Sequence, residues 1–471
     1  MIDSGFFWWV CLGYLLLPMC SYGQTGSNYW STDFGTKAQL LNGAVIAGVD
    51  DNSAVYYNPA AIGVGAENGL SFSLLSPQRR VVNTNSLQVG NQNVSDFDFL
   101  PNIFVYGFKP FKSKKASLAI TLFSKNEVDF SFKHNYVQAL TDGSTYNGSV
   151  TFDNLIRNRW GGLGFSCEIH PNIRVGMTQF LTLFSQEQLI GINSNVFPDQ
   201  QTDNPLAFIH EQVQLQRNKR FGMVSKLGFL FQTGMGEIGL NVTSPLLFSI
   251  TENGSYQYSK SELSRQGEIS QIGETDTDVG EVSFQTPFSI GVGLKTPINV
   301  KQLLYVSAEY FAGIATYNTL QGVQSPTTLA FSAEDNARTV LNIALGYENQ
   351  LSEKFTLLAG FKTDFSQFRT DELNLSNEFA ISKFQWDLYH LTLGAQITLG
   401  DFQFSSGINY VFSNGIQDPL FSPFNTHQEA LGVSLNQSTK ESTYEAFSLF
   451  INYSFFIQWG RQKFGSSKKK E

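Results

Sequence analysis

Residues 445–459 read EAFSLFINYSFFIQW, and their side chains alternate between two kinds. One face of this stretch is apolar, and the other is mainly small and polar. The apolar face carries Phe447, Leu449, Ile451, Tyr453, Phe455, Ile457 and Trp459, whereas the second face carries Ser448, Asn452, Ser454 and Gln458 with Phe450 and Phe456. A period of two over this length predicts a β-strand whose two faces meet different solvents.

The same alternation recurs along the chain from Leu70 onward. In residues 391–399, for example, leucine, alanine and isoleucine alternate with threonine, glycine and glutamine. Glycine on the second face weakens a strand, but it leaves room where another segment must pass. We predict about fourteen strands, at 68–76, 102–109, 116–132, 150–169, 171–188, 209–231, 235–250, 284–296, 302–316, 338–349, 354–367, 384–400, 401–412 and 444–459.

The links between these predicted strands alternate in length. Short links lie at 109–115, 170–172, 232–236, 296–302, 349–354 and 400–401. Long polar links lie at 77–101, 133–149, 189–208, 251–283, 317–337, 368–383 and 413–443. This rhythm is typical of an outer-membrane barrel with tight periplasmic turns, and it places both termini in the periplasm. A soluble β-sandwich, the competing fold, does not explain it.

The composition of the 471 residues agrees with an antiparallel sheet in lipid. Only 15% of the residues are charged, and 14% are aromatic. The mean hydropathy of −0.13 is too polar for a bundle of membrane helices. After the first two dozen residues, no apolar run approaches the roughly 18 to 20 residues of a spanning helix. In lipid every backbone polar group must be paired, so such a sheet must close into a barrel.

The two ends of the chain differ from the predicted barrel at 68–459. Residues 1–23 have the apolar core and the small residues before a cleavage site that mark a secretory signal peptide. Residues 460–471 form a basic tail that we expect in the periplasm. The net charge of −9 argues against a nucleic-acid partner, because such proteins are normally basic.

Residues 24–67 lack the strand pattern and are rich in glycine and alanine. Small residues from Gly43 to Gly48 predict a closely packed helix. The segment Asp50-Asp51-Asn52-Ser53 could end that helix or cap the next one. Asn58-Pro59-Ala60 predicts a tight turn, because proline fixes φ and asparagine tolerates turn geometry. This segment resembles the N-terminal hatch of the FadL/TodX family of outer-membrane transporters for hydrophobic compounds. The resemblance is sharp only over residues 40–62, although the architecture of the whole chain agrees with it.

The resemblance implies a transmembrane antiparallel barrel of fourteen strands with a mostly helical hatch, residues 24–67, in its lumen. It also implies passive uptake of long-chain fatty acids or similar molecules, which leave sideways near a kinked third strand. A second reading on the same fold is a shuttle or attachment protein for secreted cargo. A general diffusion porin is a third reading, which apolar lumen residues disfavour.

The candidate site residues fall into two groups. Asp50, Asp51, Asn58, Pro59 and Ala60 belong to the hatch motif. Alternation places Lys226, Lys362, Leu358, Phe450 and Phe456 on the lumen face, where they could bind an apolar molecule with a carboxylate head. Arg174 and Lys295 face the same way beside periplasmic turns. Each lysine has an alternative role in a salt bridge with Glu309, Asp364 or a hatch carboxylate.

Other chemistry finds little support in the sequence. The five histidines are dispersed without metal-ligand spacing, and no serine elbow is present. We therefore predict no enzyme activity, no metal and no cofactor. Expected partners are outer-membrane lipid and lipopolysaccharide, a hydrophobic small-molecule ligand and the barrel assembly machinery. The expected form is a monomer in the outer membrane of a Gram-negative bacterium.

Two further features concern particular segments. The apolar alternation of the third strand breaks at Ser124-Lys125-Asn126, which predicts a kink there. Equally, Lys125 could simply mark the headgroup boundary. The acidic segment 251–283 predicts a solvated surface loop.

Overall fold

The structure is a computed structural model. It describes residues 28–64, 69–74, 77–84, 94–99, 104–108, 116–139, 145–197, 207–251, 254–266, 268–322, 332–368, 386–400, 402–413, 416–417 and 441–455. The predicted signal peptide at 1–23 and the basic tail at 460–471 lie outside these residues. No helix in the described part of the chain is long and apolar enough to cross a membrane.

The described residues form one antiparallel sheet of fourteen strands, several of which consist of two or three segments. The strands are β1 (Gly69–Leu74, Pro77–Thr84), β2 (Val94–Phe99, Phe104–Phe108), β3 (Ala116–Ala139), β4 (Thr145–His170), β5 (Ile173–Phe197), β6 (Ala207–Thr233), β7 (Gly236–Thr243, Phe248–Thr251, Gly254–Gln266), β8 (Glu268–Val282, Ser289–Asn299), β9 (Gln302–Phe311, Ile314–Gly322), β10 (Ser332–Ala337, Val340–Gln350), β11 (Phe355–Asp364), β12 (Leu388–Leu399), β13 (Phe402–Ser413, Ile416–Gln417) and β14 (Glu441–Phe455).

Each strand pairs with its neighbours in chain order, and the first strand pairs with the last. Leu70 of β1 lies opposite Phe455 of β14, and Gln78 lies opposite Ser448. The sheet therefore closes into a barrel, which confirms the predicted fold class and strand number. Closure removes the sheet edges that lipid could not satisfy.

The outer face of the sheet carries an apolar belt. Leu163, Leu181, Phe221, Leu341 and Leu393 are exposed there, one on each of five strands around the barrel. Towards the outer end of the barrel the same face becomes charged. Exposed Arg217 forms an ion pair of 3.0 Å with Glu187 on the neighbouring strand. This change from apolar to charged residues is the outer boundary expected of a membrane belt.

The strands continue well beyond the predicted boundaries at this outer end. β6 has 27 residues, whereas a strand needs only about 9 to 11 to cross a bilayer. Much of the predicted long links is consequently strand. The prediction of a surface loop at 251–283 is wrong for most of that segment, because 254–266 and 268–282 form a β-hairpin. The short links at 170–172, 232–236 and 296–302 are tight turns as predicted.

Residues 28–64 of the hatch fill the lumen. Their helices are short: α1 (Thr36–Leu40), α2 (Ala54–Tyr57) and a 3₁₀-helix (Pro59–Ala61). The predicted small-residue helix at 43–48 is absent, because Gly43 and Gly48 adopt φ values of 73° and 80°. Such left-handed conformations interrupt a helix, and turns take its place.

Candidate functional site

The hatch motif forms a hydrogen-bonded corner against the barrel wall. Asn58 is fully buried, and its Oδ1 accepts a 3.1 Å hydrogen bond from the backbone N–H of Ala60. Its Nδ2 donates to the carbonyls of Ile46 (2.8 Å) and of Phe229 on β6 (3.1 Å). Pro59 follows as the first residue of the 3₁₀-helix, where its missing N–H costs nothing. One side chain thus joins two parts of the hatch to the wall.

The two acidic residues of the motif have separate structural roles. Asp50 forms a 2.7 Å ion pair with Lys37, which also pairs with Glu348 of β10 at 2.9 Å. Burial alone would raise the pKa of Asp50, but Lys37 outweighs it and the pKa lies below its usual value. Asp51 accepts hydrogen bonds from the N–H and the hydroxyl of Ser53. Burial raises the pKa of the Asp51 carboxyl.

Lumen-facing glycines let the hatch backbone touch the wall. A Cβ on Gly239 would overlap the carbonyl of Ile46, and one on Gly176 would overlap the carbonyl of Pro59. A Cβ on Gly360 would lie 2.5 Å from the Leu41 carbonyl carbon. The alternation of glycine with apolar residues in these strands therefore has a packing cause. It creates the surface on which the hatch is seated.

Above the hatch, on its outer side, lies a cavity of about 150 Å³. It is enclosed by hatch residues near Tyr29 and Tyr56 and by the walls of β3 to β10. Of its 32 lining residues, 13 are aromatic or aliphatic and 19 carry charged, amide or hydroxyl side chains. The aromatic members are Tyr29, Tyr56, Trp160, Phe184, Phe284, Phe311 and Tyr317, and the charged members are Lys125, Arg220, Lys226, Glu309 and Asp335.

Two ammonium groups meet at one aromatic ring in this cavity. The Nζ atoms of Lys125 and Lys226 each lie 4.8 Å from the centroid of Tyr56. Lys125 also donates to the Tyr56 hydroxyl and to the carbonyl of Tyr29. Cation–π contact stabilises such charges away from water. Lys226, a predicted ligand residue, therefore lines the cavity, and its contact with a ligand stays a prediction.

The other predicted ligand residues lie elsewhere. Lys362 is buried and forms a 2.7 Å ion pair with Asp33 of the hatch, which is the alternative role foreseen for the lysines. Leu358 is buried in the cluster of apolar side chains between hatch and wall. Phe450 lies opposite Gly407 in the register of β13 and β14, and Phe456 falls outside the described residues. Of the predicted ligand residues whose side chains are described, Lys226 lines the cavity, whereas Lys362 and Leu358 do not.

Arg174 and Lys295, which were predicted to face the lumen, form polar contacts near the periplasmic turns. Arg174 donates from Nε to the carbonyl of Ala60 at 3.0 Å. Lys295 pairs with Glu237 on the neighbouring strand at 3.0 Å. Both residues therefore support the hatch and the wall below the cavity.

The third strand is irregular where the sequence predicted it. Ser124 lies opposite Arg159 and Asn126 lies opposite Asn158, so Lys125 is the extra residue of a β-bulge. The bulge places both Lys125 and Asn126 in the cavity lining. Bulges redirect side chains in this way next to functional sites.

Next to the bulge, the pairing between β2 and β3 is incomplete among the described residues. Phe104–Phe108 of β2 pairs with Leu118–Leu122 of β3, and the outer segment of β2 pairs with β1. Among the described residues, β3 from Phe123 outward pairs with β4 but has no partner on the β2 side. The described residues therefore leave the wall beside the cavity without strand pairing along one line, which we call the β2–β3 seam.

Sequence reasoning did not place most of the lining residues in the cavity, and Arg220, Trp160 and Glu309 are three examples. Arg220 lies on the same face of β6 as Lys226, so alternation alone could have placed it in the lumen. Trp160 precedes a glycine pair, and no sequence signal marks it. Glu309 was considered only as a salt-bridge partner. It instead accepts hydrogen bonds from Trp30 Nε1 (2.9 Å) and Ser289 (2.7 Å).

Comparison with solved structures gives low sequence identity and long overlap. A FadL homologue of Pseudomonas aeruginosa matches with a TM-score of 0.62 and 10% identity, over 91% of this chain and 100% of that chain. The Pseudomonas putida toluene transporter TodX matches at 0.58 and 11%, over 91% and 99%. The Ralstonia pickettii toluene transporter TbuX matches at 0.51 and 14%, over 90% and 98%.

Sequence comparison finds no relative: no protein-family model and no curated protein matches this chain. The likeness to the three solved structures is thus one of fold. It extends over nearly the whole of each of them, including the closed barrel. The chain therefore has the fold of the FadL- and TodX-type barrels, as the hatch motif predicted.

Proposed function

We propose that this protein carries hydrophobic molecules passively across an outer membrane. The observation that carries the proposal is the aromatic cavity between hatch and wall, beside the β2–β3 seam. Pockets with an apolar lining and a few placed polar groups are typical ligand sites. The apolar belt supports an outer-membrane location in contact with lipid and lipopolysaccharide.

The size of the cavity favours a small ligand. Apolar cavities of about 150 Å³ take a benzene-sized guest, whereas sites for larger ligands measure about 300 Å³ or more. A single aromatic ring fits this volume better than a whole long-chain fatty acid. The likeness in fold to TodX and TbuX, which are toluene transporters, agrees with such a substrate.

We further propose that ligand leaves through the β2–β3 seam. The bulge at Lys125 lies in the cavity lining, and the unpaired edge of β3 begins beside it. Substituting Ser124 and Asn126 with tryptophan should obstruct this route and slow uptake severalfold. Unchanged uptake would argue for exit into the periplasm instead.

The cavity can be tested by filling it. Val224 is buried and lines the cavity, whereas Leu227 of the same strand is exposed on the apolar belt. Val224→Trp should reduce binding and uptake of toluene in proteoliposomes at least tenfold, and Leu227→Trp should not. Equal uptake by both variants and the parent protein would contradict the proposal.

The cargo-shuttle alternative retains one supporting observation. The strands extend beyond the apolar belt and end in features such as the hairpin of 254–282, which together offer a protein-sized surface. Deleting residues 254–282 should leave toluene binding unchanged if this surface serves cargo. We expect a monomer that depends on the barrel assembly machinery in either case.

A further inference from the structure

A buried guanidinium stands at the outer part of the cavity. Only 2% of the Arg220 surface is exposed, and its Nε and Nη1 have no hydrogen-bond partner among the described residues. Its Cζ lies 5.1 Å from the centroid of the Phe284 ring. Withdrawing a charge from water is costly unless an opposite charge or acceptor compensates. The site is therefore incomplete without an acceptor.

Polar groups of neighbouring side chains are also unsatisfied. Gln186 Nε2 and Asn218 Oδ1 are buried in the cavity lining without a described hydrogen-bond partner. A neutral hydrocarbon would leave all of these groups unpaired. A ligand with an acceptor group would pair with the donors of Arg220 and Gln186, because buried polar groups are normally hydrogen-bonded. Asn218 Oδ1 is itself an acceptor and would need a donor.

The charge of the lining favours an anion. Lys125, Lys226 and Arg220 face Glu309 and Asp335, which leaves one excess positive charge. Both carboxylates are already engaged: Glu309 by Trp30 and Ser289, and Asp335 by Tyr317 and the N–H of Asn336. Among the described residues, no hydrogen bond or ion pair joins either acid to Arg220.

An aromatic wall adjoins the guanidinium. Phe184 lies opposite Arg220 in the register of β5 and β6, and its ring stacks on Phe284 with centroids 4.4 Å apart. With the volume of about 150 Å³, these rings suit one flat ring beside the charge. Aromatic rings pair favourably in offset or edge arrangements.

We propose that the cavity binds aromatic carboxylates, with Arg220 as the carboxylate-binding residue. This inference rests on the proposed transport function and names its substrate class. The carboxylate accepts hydrogen bonds from Arg220, and the ring packs towards Phe184. Arg220 precedes Lys226 by six residues on β6, about 20 Å nearer the outer end. Ligand would thus meet Arg220 first and the lysine pair next.

Binding of benzoate, benzamide and toluene to the full chain in detergent tests this inference by calorimetry. Benzamide has nearly the shape of benzoate but no charge. The parent protein should bind benzoate at least tenfold more tightly than benzamide. Arg220→Met should weaken benzoate binding about 10- to 100-fold, the range of a hydrogen bond to a charged group. Its affinity for toluene should stay within about twofold.

Arg217→Gln is the matched control, because Arg217 lies three residues away on the same strand but is exposed and paired with Glu187. It should leave benzoate binding unchanged. If Arg220→Met does not fold, Arg220→Lys takes its place. The ratio of benzoate to benzamide affinity in the parent protein also tests the inference, and it requires no variant. Benzoate binding no tighter than benzamide, or unaffected by the loss of Arg220, would overturn the inference while toluene binding upholds transport. Failure of all three ligands to bind would overturn both.

Discussion

At the scale of single residues, the buried Asn58 side chain links two parts of the hatch to the barrel wall by hydrogen bonds. Its side chain satisfies the N–H that begins the 3₁₀-helix and two carbonyls, one in the hatch and one in the wall. Alanine would supply none of these partners. The Ala60 N–H and both carbonyls would lose the hydrogen bond that they make with this side chain, and a buried polar group left without a partner is costly.

We predict that Asn58→Ala destabilises the folded protein by about 2 to 4 kcal/mol. The measurement is urea unfolding in detergent, followed by tryptophan fluorescence. Asn299→Ala is the control, because the Asn299 amide donates to Gln302 and accepts from the N–H of Lys301 in an exposed turn, where water can replace both partners. Equal losses in the two variants would show that Asn58 does not hold the hatch.

The ion pair of Lys37 and Asp50 predicts a pH dependence. The pKa of Asp50 is lowered on folding, so its contribution is present above the unfolded value of 3.8 and is lost as pH falls through the lower folded value. Burial opposes the charge of Lys37, but Asp50 and other acids outweigh it and raise its pKa. The Lys37 contribution is therefore fully present below the unfolded value of 10.5 and is lost as pH rises through the raised folded pKa.

Asp50→Asn should accordingly lower the unfolding temperature throughout the neutral range. The difference from the parent protein should shrink below about pH 4, where the unfolded chain no longer loses a proton at this position. Thermal unfolding in detergent at several pH values measures this. A difference that grows in acid would contradict the assigned sign.

At the scale of elements, the seating of the hatch on glycine is directly testable. Gly239→Val would place a side chain where the Ile46 carbonyl now lies, whereas Gly191→Ala meets only Thr151 at 3.7 Å. We predict that Gly239→Val exposes the hatch to protease in the intact barrel and that Gly191→Ala does not. Complete protection in both variants would show that the wall yields to the added side chain.

The strands were largely predictable inside the membrane belt and poorly predictable above it. Within the belt, one face of each strand contacts lipid and the other faces the lumen. Apolar and polar residues therefore alternate clearly, as at Leu341 and Asn342. Above it, both faces meet water or protein, as at Glu187 and Arg217, and the alternation loses its contrast. This explains why 254–282 suggested a loop.

The site was less predictable than the fold for a related reason. Alternation gives the face of Lys226 and Lys362, but both residues face inward and only one lines the cavity. Which of the two lysines lines the cavity depends on where the hatch contacts the wall, and local sequence patterns do not predict such tertiary contacts. The bulge at Lys125 was visible, since a break in alternation is itself a local signal.

At the scale of the whole molecule, the barrel should behave as a closed unit with a plug. We predict that it stays folded in cold detergent and migrates differently on gels after boiling. Deleting residues 24–60 should convert it from a closed barrel into an ion-conducting one in planar bilayers. A non-conducting deletion variant that retains the heat-dependent shift would mean that the hatch does not close the lumen.

The hatch also sets the order of events during folding. Its helices have five residues or fewer, far below the length at which helices persist alone. Its partners are distant in the chain: the hydrogen bond from Ser405 to the carbonyl of Thr36 spans 369 residues. The hatch precedes the barrel in the chain, but we expect it to acquire its structure last, once the strands that contact it have formed the wall. Such high contact order predicts slow maturation, in which hatch amides gain protection from hydrogen exchange only after the wall has formed.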